Sequence, residues 1–173
     1  MAVKDKTKRL AVSAMLSAVG VVLLYFGAIL QVMDISMAVI ASVLCVFAVI
    51  EYGGYYPWLI YAVTGVIAII ILPQKEAAAV YILFFGFYPI IKEKLEKKKR
   101  IVSWVLKEVI FNISLAIMLA MSALLMTADA AEPLFIYIIL AVLAEIVFPI
   151  YDIALTRVIT LYIRKLRPKF KQK

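Results

Sequence analysis

Histidine is absent from the sequence, and cysteine occurs once, at position 45. Without histidine the chain lacks the commonest metal ligand and proton shuttle, and a Ser-His-Asp catalytic site is excluded. A single cysteine cannot form a disulfide within the chain, so it does not indicate a redox compartment. The sequence contains no GxxxxGK[ST] phosphate-binding loop and no HExxH, CxxC or GxSxG pattern. We therefore expect no enzymatic activity and no bound metal or cofactor.

Charged residues are also scarce, since they make up 17% of the 173 residues, whereas 66% are hydrophobic. The mean hydropathy of +1.06 is far above that of a soluble domain. A soluble domain of this length leaves much of its surface in water and could not bury so many apolar side chains. Lipid is the alternative solvent, so the composition predicts an all-α, polytopic membrane protein. The net charge of +8 then has a membrane origin, and we expect no nucleic-acid partner.

Apolar runs of spanning length predict a bundle of six transmembrane helices in a single domain, residues 1–173. A helix needs about 20 apolar residues to cross the hydrocarbon core. The predicted helices cover approximately residues 10–30, 35–51, 56–72, 76–92, 101–126 and 133–164. The second and fourth apolar runs are short, so flanking residues or a local tilt must complete these two spans.

Basic residues are unevenly distributed among the predicted loops. With the N-terminus inside, sixteen basic residues of the loops and tails are cytoplasmic and only Lys75 is outside. The dense run from Lys92 to Arg100 belongs to the inner set. This asymmetry predicts a multi-pass protein of the cell membrane with both termini in the cytoplasm. The basic run serves most simply as a topology anchor, and contact with anionic lipids at the cytoplasmic face is its alternative role.

Ionisable residues inside a span are costly, so they usually pair or serve a function. Glu108 and Arg157 lie level when counted from the inner ends of the fifth and sixth helices, which predicts a structural ion pair. Asn112 and Glu145 lie near the midplane, and no basic residue is level with Glu145. Pro149 frees the backbone carbonyl of Glu145. The Glu145 carboxylate is satisfied either by Asn112 or by a ligand, and the sequence leaves both open.

The first predicted helix carries two adjacent faces of small residues. These are Ala11, Ala14 and Ala18 on one face, and Ser13, Ser17 and Gly20 on the other. Small residues at this spacing allow another helix to approach closely. That helix belongs either to this chain or to a separate protein.

The fourth predicted helix carries an aromatic stripe with helical spacing, formed by Tyr81, Phe84, Phe85 and Tyr88. Such a stripe is typical of packing inside a bundle, and a pocket wall is the alternative.

The chain as a whole resembles the S component, the substrate-binding membrane subunit, of an energy-coupling-factor (ECF) type ABC transporter. The resemblance rests on the six-helix hydrophobic architecture, the cytoplasmic termini and the segment KRLAVSAMLSAVG, in which Ala14 and Ala18 form an AxxxA motif. It implies that the Ala11, Ala14 and Ala18 face contacts the membrane coupling subunit, which two ATPases drive.

The resemblance also implies uptake of a vitamin-like small molecule from outside, bound by the outer halves of helices four to six and the outer loops. Transferred to this sequence, the pocket comprises Gln31, Asp34, Gln74, Tyr81, Asn112, Tyr137 and Glu145. The absence of histidine argues against the subgroup that transports nickel and cobalt.

Two other functions fit the same composition. A non-catalytic scaffold resembling the rod-shape-determining membrane protein of cell-wall elongation would use the small-residue face and the basic run as protein contacts. A small proton-coupled exporter would use Glu145 as its carrier site.

Overall fold

A computed structural model describes residues 2–30, 33–125 and 134–167. Within these ranges the chain consists of helices and short turns without a strand, which confirms the all-α class. The α-helices are α1 (Ala2–Leu30), α2 (Asp34–Glu51), α3 (Tyr56–Ile71), α4 (Glu76–Val80), α5 (Tyr88–Leu95), α6 (Arg100–Leu125) and α7 (Leu134–Leu161). Two π-helical turns, Tyr81–Phe85 and Tyr162–Leu166, follow α4 and α7.

Four of these helices, α1, α2, α6 and α7, are long and apolar enough to cross a membrane. Helix α3 is apolar but has 16 residues. At 1.5 Å per residue it is about 24 Å long, which is less than the roughly 30 Å of hydrocarbon core. The predicted count of six spans therefore stays a prediction.

The helix predicted over residues 76–92 is interrupted in the structure. The Gly86 amide donates to the carbonyl of Tyr81, five residues back, at 2.7 Å. Pro89 has no amide proton and therefore cannot continue the hydrogen-bond ladder through this segment. Together Gly86 and Pro89 explain why a π-helical turn and a new helix replace one continuous α-helix.

The backbone divides into two compact units, unit 1 (Met1–Glu108) and unit 2 (Val109–Lys173). The core of unit 1 is rich in buried alanines, which allow the helices to approach closely. At Gly27, a Cβ atom would lie 3.0 Å from the Cβ of Met37, so α1 and α2 nearly touch there.

In unit 2, α6 and α7 contact each other through aromatic rings. The Phe111 and Phe148 rings are stacked, with centroids 4.4 Å apart and an interplanar angle of 11°. Pro149 follows Phe148 directly inside α7. In sequence, Phe111 directly precedes Asn112, and Phe148 follows Glu145 by three residues, about one helical turn.

Candidate functional site

The most unusual polar group of unit 1 is the carboxylate of Asp34, the first residue of α2. Asp34 is only 9% exposed. Its Oδ1 atom is buried and accepts no hydrogen bond in the part of the chain that the structure describes. A Cβ at Gly27 would lie 3.4 Å from the Cα of Asp34, so the α1 backbone covers this residue.

The turn before α4 brings three further polar side chains to the same end of unit 1. Glu76, the first residue of α4, is exposed at this end. The Lys75 ammonium donates to the carbonyls of Ile69 and Leu72, both at 2.6 Å. Lys75 thus caps the last carbonyls of α3. Gln74 is half-buried in the same turn.

Tyr81 lies deeper, in the core of unit 1, and is 1% exposed. Its hydroxyl is 3.4 Å from Cys45 Sγ. The Tyr61 hydroxyl donates to the carbonyl of Ile82 in the same π-helical turn at 3.0 Å. Tyr81 therefore packs inside unit 1, and its proposed contact with a ligand stays a prediction.

The remaining predicted pocket residues are distributed differently. Asn112 is exposed, and Tyr137 and Glu145 are half-buried, all three in unit 2. Gln31 lies outside the described residues. The structure thus brings Asp34 and Gln74 to one end of unit 1, whereas Asn112, Tyr137 and Glu145 belong to a separately described unit.

The predicted ion pair joins residues of different units. Glu108 is half-buried and ends unit 1, and Arg157 is exposed in unit 2. Their pairing stays a prediction.

In unit 1, two buried lysines contact the same carboxylate. The sequence pattern did not predict this site. Lys92 is 0% exposed and Lys107 is 4% exposed. Their Nζ atoms lie 3.0 Å and 3.3 Å from Oε1 of Glu96. The Lys107 ammonium also lies 5.6 Å from the Trp104 ring centroid. The spacing of Lys92 and Glu96, four residues apart on a helix, was the available sequence signal.

The structure separates the two small-residue faces of α1. Ser13 and Ser17 are 0% and 1% exposed, and a Cβ at Gly20 would lie 3.0 Å from Thr64 Cγ2. The Thr64 hydroxyl donates to the Ser17 carbonyl at 3.4 Å, so this face contacts α3. The alanines of the other face all remain exposed: Ala11, Ala14 and Ala18.

Unit 2 has an open depression of about 310 Å³ where α7 passes into its π-helical turn. The lining residues are Thr156, Arg157, Thr160, Leu161, Arg164 and Lys165. The threonine hydroxyls donate to backbone carbonyls one turn earlier, at 2.9 and 2.8 Å. The three basic side chains are exposed, whereas the surface that lines the depression is almost entirely apolar.

No group of three or more Cys, Asp and Glu residues is placed to hold a metal ion among the residues searched, which are those the structure describes. Comparison with known proteins finds no matching protein family, no matching curated protein and no matching solved structure.

Proposed function

We propose that this chain is an integral membrane subunit that captures a vitamin-like small molecule for an ECF-type transporter. Its partners would be a membrane coupling subunit and ATPases, and the chain itself would not be an enzyme. The observation that carries the proposal is that Ala11, Ala14 and Ala18 are exposed on α1, although the adjacent small face is buried.

The physical argument starts from the two faces of α1. The face of Ser13, Ser17 and Gly20 is occupied by α3 of the same chain. A helix that faces only lipid has no need of small side chains, since lipid adapts to large ones. A regularly spaced alanine face suits the close approach of a helix from another protein. This supports a partner-binding role for Ala11, Ala14 and Ala18.

The proposal includes six spans with both termini in the cytoplasm of a cell-membrane protein. The charge asymmetry supports this orientation, because Lys75 is the only basic residue of the expected outer loops. Single cysteines placed in a Cys45→Ser background test it. An impermeant maleimide should label Ser36→Cys in intact cells and should label Lys98→Cys only after permeabilisation. Both native residues are exposed, so the reverse pattern would exclude this topology.

Anionic lipids at the cytoplasmic face are the further partners of this proposal. The depression lined by Arg157, Arg164 and Lys165 supports them, because three cations beside an apolar helix suit a lipid phosphate. Neutralising these three residues should reduce the anionic lipid that co-purifies with the chain, relative to the unmodified chain.

The deciding experiment is purification of the tagged full-length chain from native membranes in mild detergent, with identification of the co-purifying proteins. Stoichiometric recovery of a coupling subunit and ATPases supports the proposal. The variant Ala14→Leu/Ala18→Leu should lose them while folding normally. Recovery of cell-wall synthesis proteins would instead favour the scaffold function. Recovery of the chain alone would contradict both, and proton-flux assays on Glu145→Gln would then test the exporter.

A further inference from the structure

Among the residues that the structure describes, none donates a hydrogen bond to the buried Oδ1 atom of Asp34. This atom is shielded from solvent. Burying a polar atom without a hydrogen bond is costly, and burying a charge is more so. Buried polar atoms without partners are rare in folded proteins, and each one calls for an explanation.

The first turn of α2 does not supply that explanation. A helix N-terminus attracts negative charge, and Asp34 occupies the first turn. However, Met33 is the N-cap residue, and no side-chain capping hydrogen bond is formed there. The Asp34 carboxylate therefore gains a favourable field but no donor from its own helix.

The ammonium group of Lys75 does not pair with Asp34 either. Lys75 is the basic residue of this end, and its ammonium is bound to the carbonyls of Ile69 and Leu72. Arg9 lies at the opposite end of α2, where its guanidinium is 5.9 Å from the ring centroid of Tyr52. Glu76, the first residue of α4, adds a second carboxylate at this end of unit 1. This end of unit 1 thus carries the two carboxylates of Asp34 and Glu76.

We propose that Asp34 and Glu76 bind the protonated amine of a small molecule, at the end of unit 1 where α2 and α4 begin. The inference rests on the proposed function in that it names the chemical class of the captured molecule, an organic cation. Asp34 would supply a desolvated acceptor, and Glu76 would supply an exposed second carboxylate.

An amine fits this pair of residues better than a metal ion does. A primary ammonium has three N–H donors, and two carboxylates are enough to accept them. Calcium takes six to eight oxygen ligands, and magnesium requires an octahedral set. Within the described residues no third acidic or cysteine side chain completes a group that could hold a metal.

Thermal unfolding of the purified full-length chain in neutral detergent tests the proposal. The probes are methylammonium and butylammonium at constant ionic strength. Tetramethylammonium serves as the matched cation without N–H donors. Sodium and calcium test whether the site binds a metal ion instead. At roughly ten times Kd, a primary ammonium should raise Tm by about 3–6 °C, with no comparable shift from the other cations.

Two variants assign the effect to residues. Asp34→Asn should abolish the ammonium-dependent shift, while its Tm without probe should equal or exceed that of the unmodified chain, because a desolvated charge is removed. Glu76→Gln changes an exposed side chain, so folding is preserved, and it should weaken binding by up to about tenfold. Glu51→Gln, at the other end of α2, is the matched control and should leave the shift unchanged.

Three results would overturn the inference: an unchanged shift in both Asp34→Asn and Glu76→Gln, a shift with sodium or calcium but not with primary ammonium, or no shift with any cation. Because the assay uses the isolated chain, it is independent of partner proteins. Ammonium binding without recovery of a coupling subunit would leave the site standing and refute the transporter role. Recovery of the coupling subunit without ammonium binding would support the transporter role and refute the ammonium site.

Discussion

Lys92 Nζ lies 3.0 Å from Glu96 Oε1, and the two residues differ sharply in exposure, with side chains that are 1% and 41% accessible. The ammonium is thus inside unit 1, whereas its carboxylate partner is at the surface. The same oxygen also contacts Lys107 at 3.3 Å. Glu96 therefore balances two buried cations and connects α5 to the beginning of α6.

Replacing Glu96 with Gln should destabilise the chain by about 1–2 kcal/mol. The reason is that two buried ammonium groups lose part of their compensating charge, although solvent screening at the exposed carboxylate limits the effect. Thermal unfolding in detergent at low ionic strength measures this change.

Glu93→Gln provides the matched control on the same helix. Glu93 and Lys97 also pair at i,i+4, at 2.8 Å, but both side chains are exposed. Loss of this pair should cost less than about 0.5 kcal/mol. Equal losses in the two variants would show that the burial of Lys92 has no energetic consequence.

Gly86→Ala should destabilise the π-helical turn by about 1–2 kcal/mol. An added Cβ would lie 2.6 Å from Tyr61 Cδ2 and 2.8 Å from Tyr81 Cε1, distances that force both rings to move. The gain in helix propensity offsets only part of this cost. Unfolding of the single variant and of the double variant with Tyr61→Ala forms a thermodynamic cycle. A cost that is the same in both backgrounds would contradict the assigned clash.

Larger side chains should destabilise the folded chain on one small face of α1 and have almost no effect on its stability on the other. Ala14→Leu/Ala18→Leu places larger side chains at exposed positions and should change stability by less than about 0.5 kcal/mol. Gly20→Leu should cost about 2–3 kcal/mol or more, because even a Cβ would lie 3.0 Å from Thr64 Cγ2. Thermal unfolding of the isolated chain measures both. A destabilised alanine variant would show that this face packs internally and is not available to a partner.

Cys45 should be inert in the folded chain. Its side chain is 0% exposed, and Sγ contacts the Tyr81 hydroxyl at 3.4 Å. Modification by N-ethylmaleimide requires opening of α2 from the core, so it should be at least about 100-fold slower than in denaturant. Ser36→Cys in a Cys45→Ser background is the exposed reference thiol. Similar rates for the two thiols in the folded state would contradict the burial of Cys45.

Much of the helical framework could be predicted from the sequence. The expected boundaries 35–51 and 56–72 differ by one residue from α2 and α3. The change in hydropathy at the ends of both helices, and Pro57 in the first turn of α3, indicate these boundaries from neighbouring residues alone. The beginning of α1 was placed at residue 10, whereas the helix begins at Ala2. The error arose because the exposed charged residues of the first turns are good helix formers but do not add to an apolar run.

The candidate site was predictable only in part. The family resemblance assigned Asp34 and Gln74 to one pocket; they lie at the beginning of α2 and in the turn before α4, and their shared contact with a ligand stays a prediction. The role of Lys75 was not evident, because its capping of α3 depends on the turn geometry. Hydropathy also gives no measure of whether a carboxylate is hydrogen-bonded, and therefore the isolation of Asp34 could not be foreseen.

The sequence by itself determined the all-helical class, the helices of membrane-spanning length and the two small faces of α1, since composition and periodicity are properties of neighbouring residues. Only the tertiary structure decided that Gly20 packs and Ala14 stays exposed, that Lys92 is buried, and that Oδ1 of Asp34 accepts no hydrogen bond from the described residues. Each of these depends on distances between segments remote in the chain. Such distances are set when helices exclude lipid and water from one another, and no local pattern encodes which face is covered.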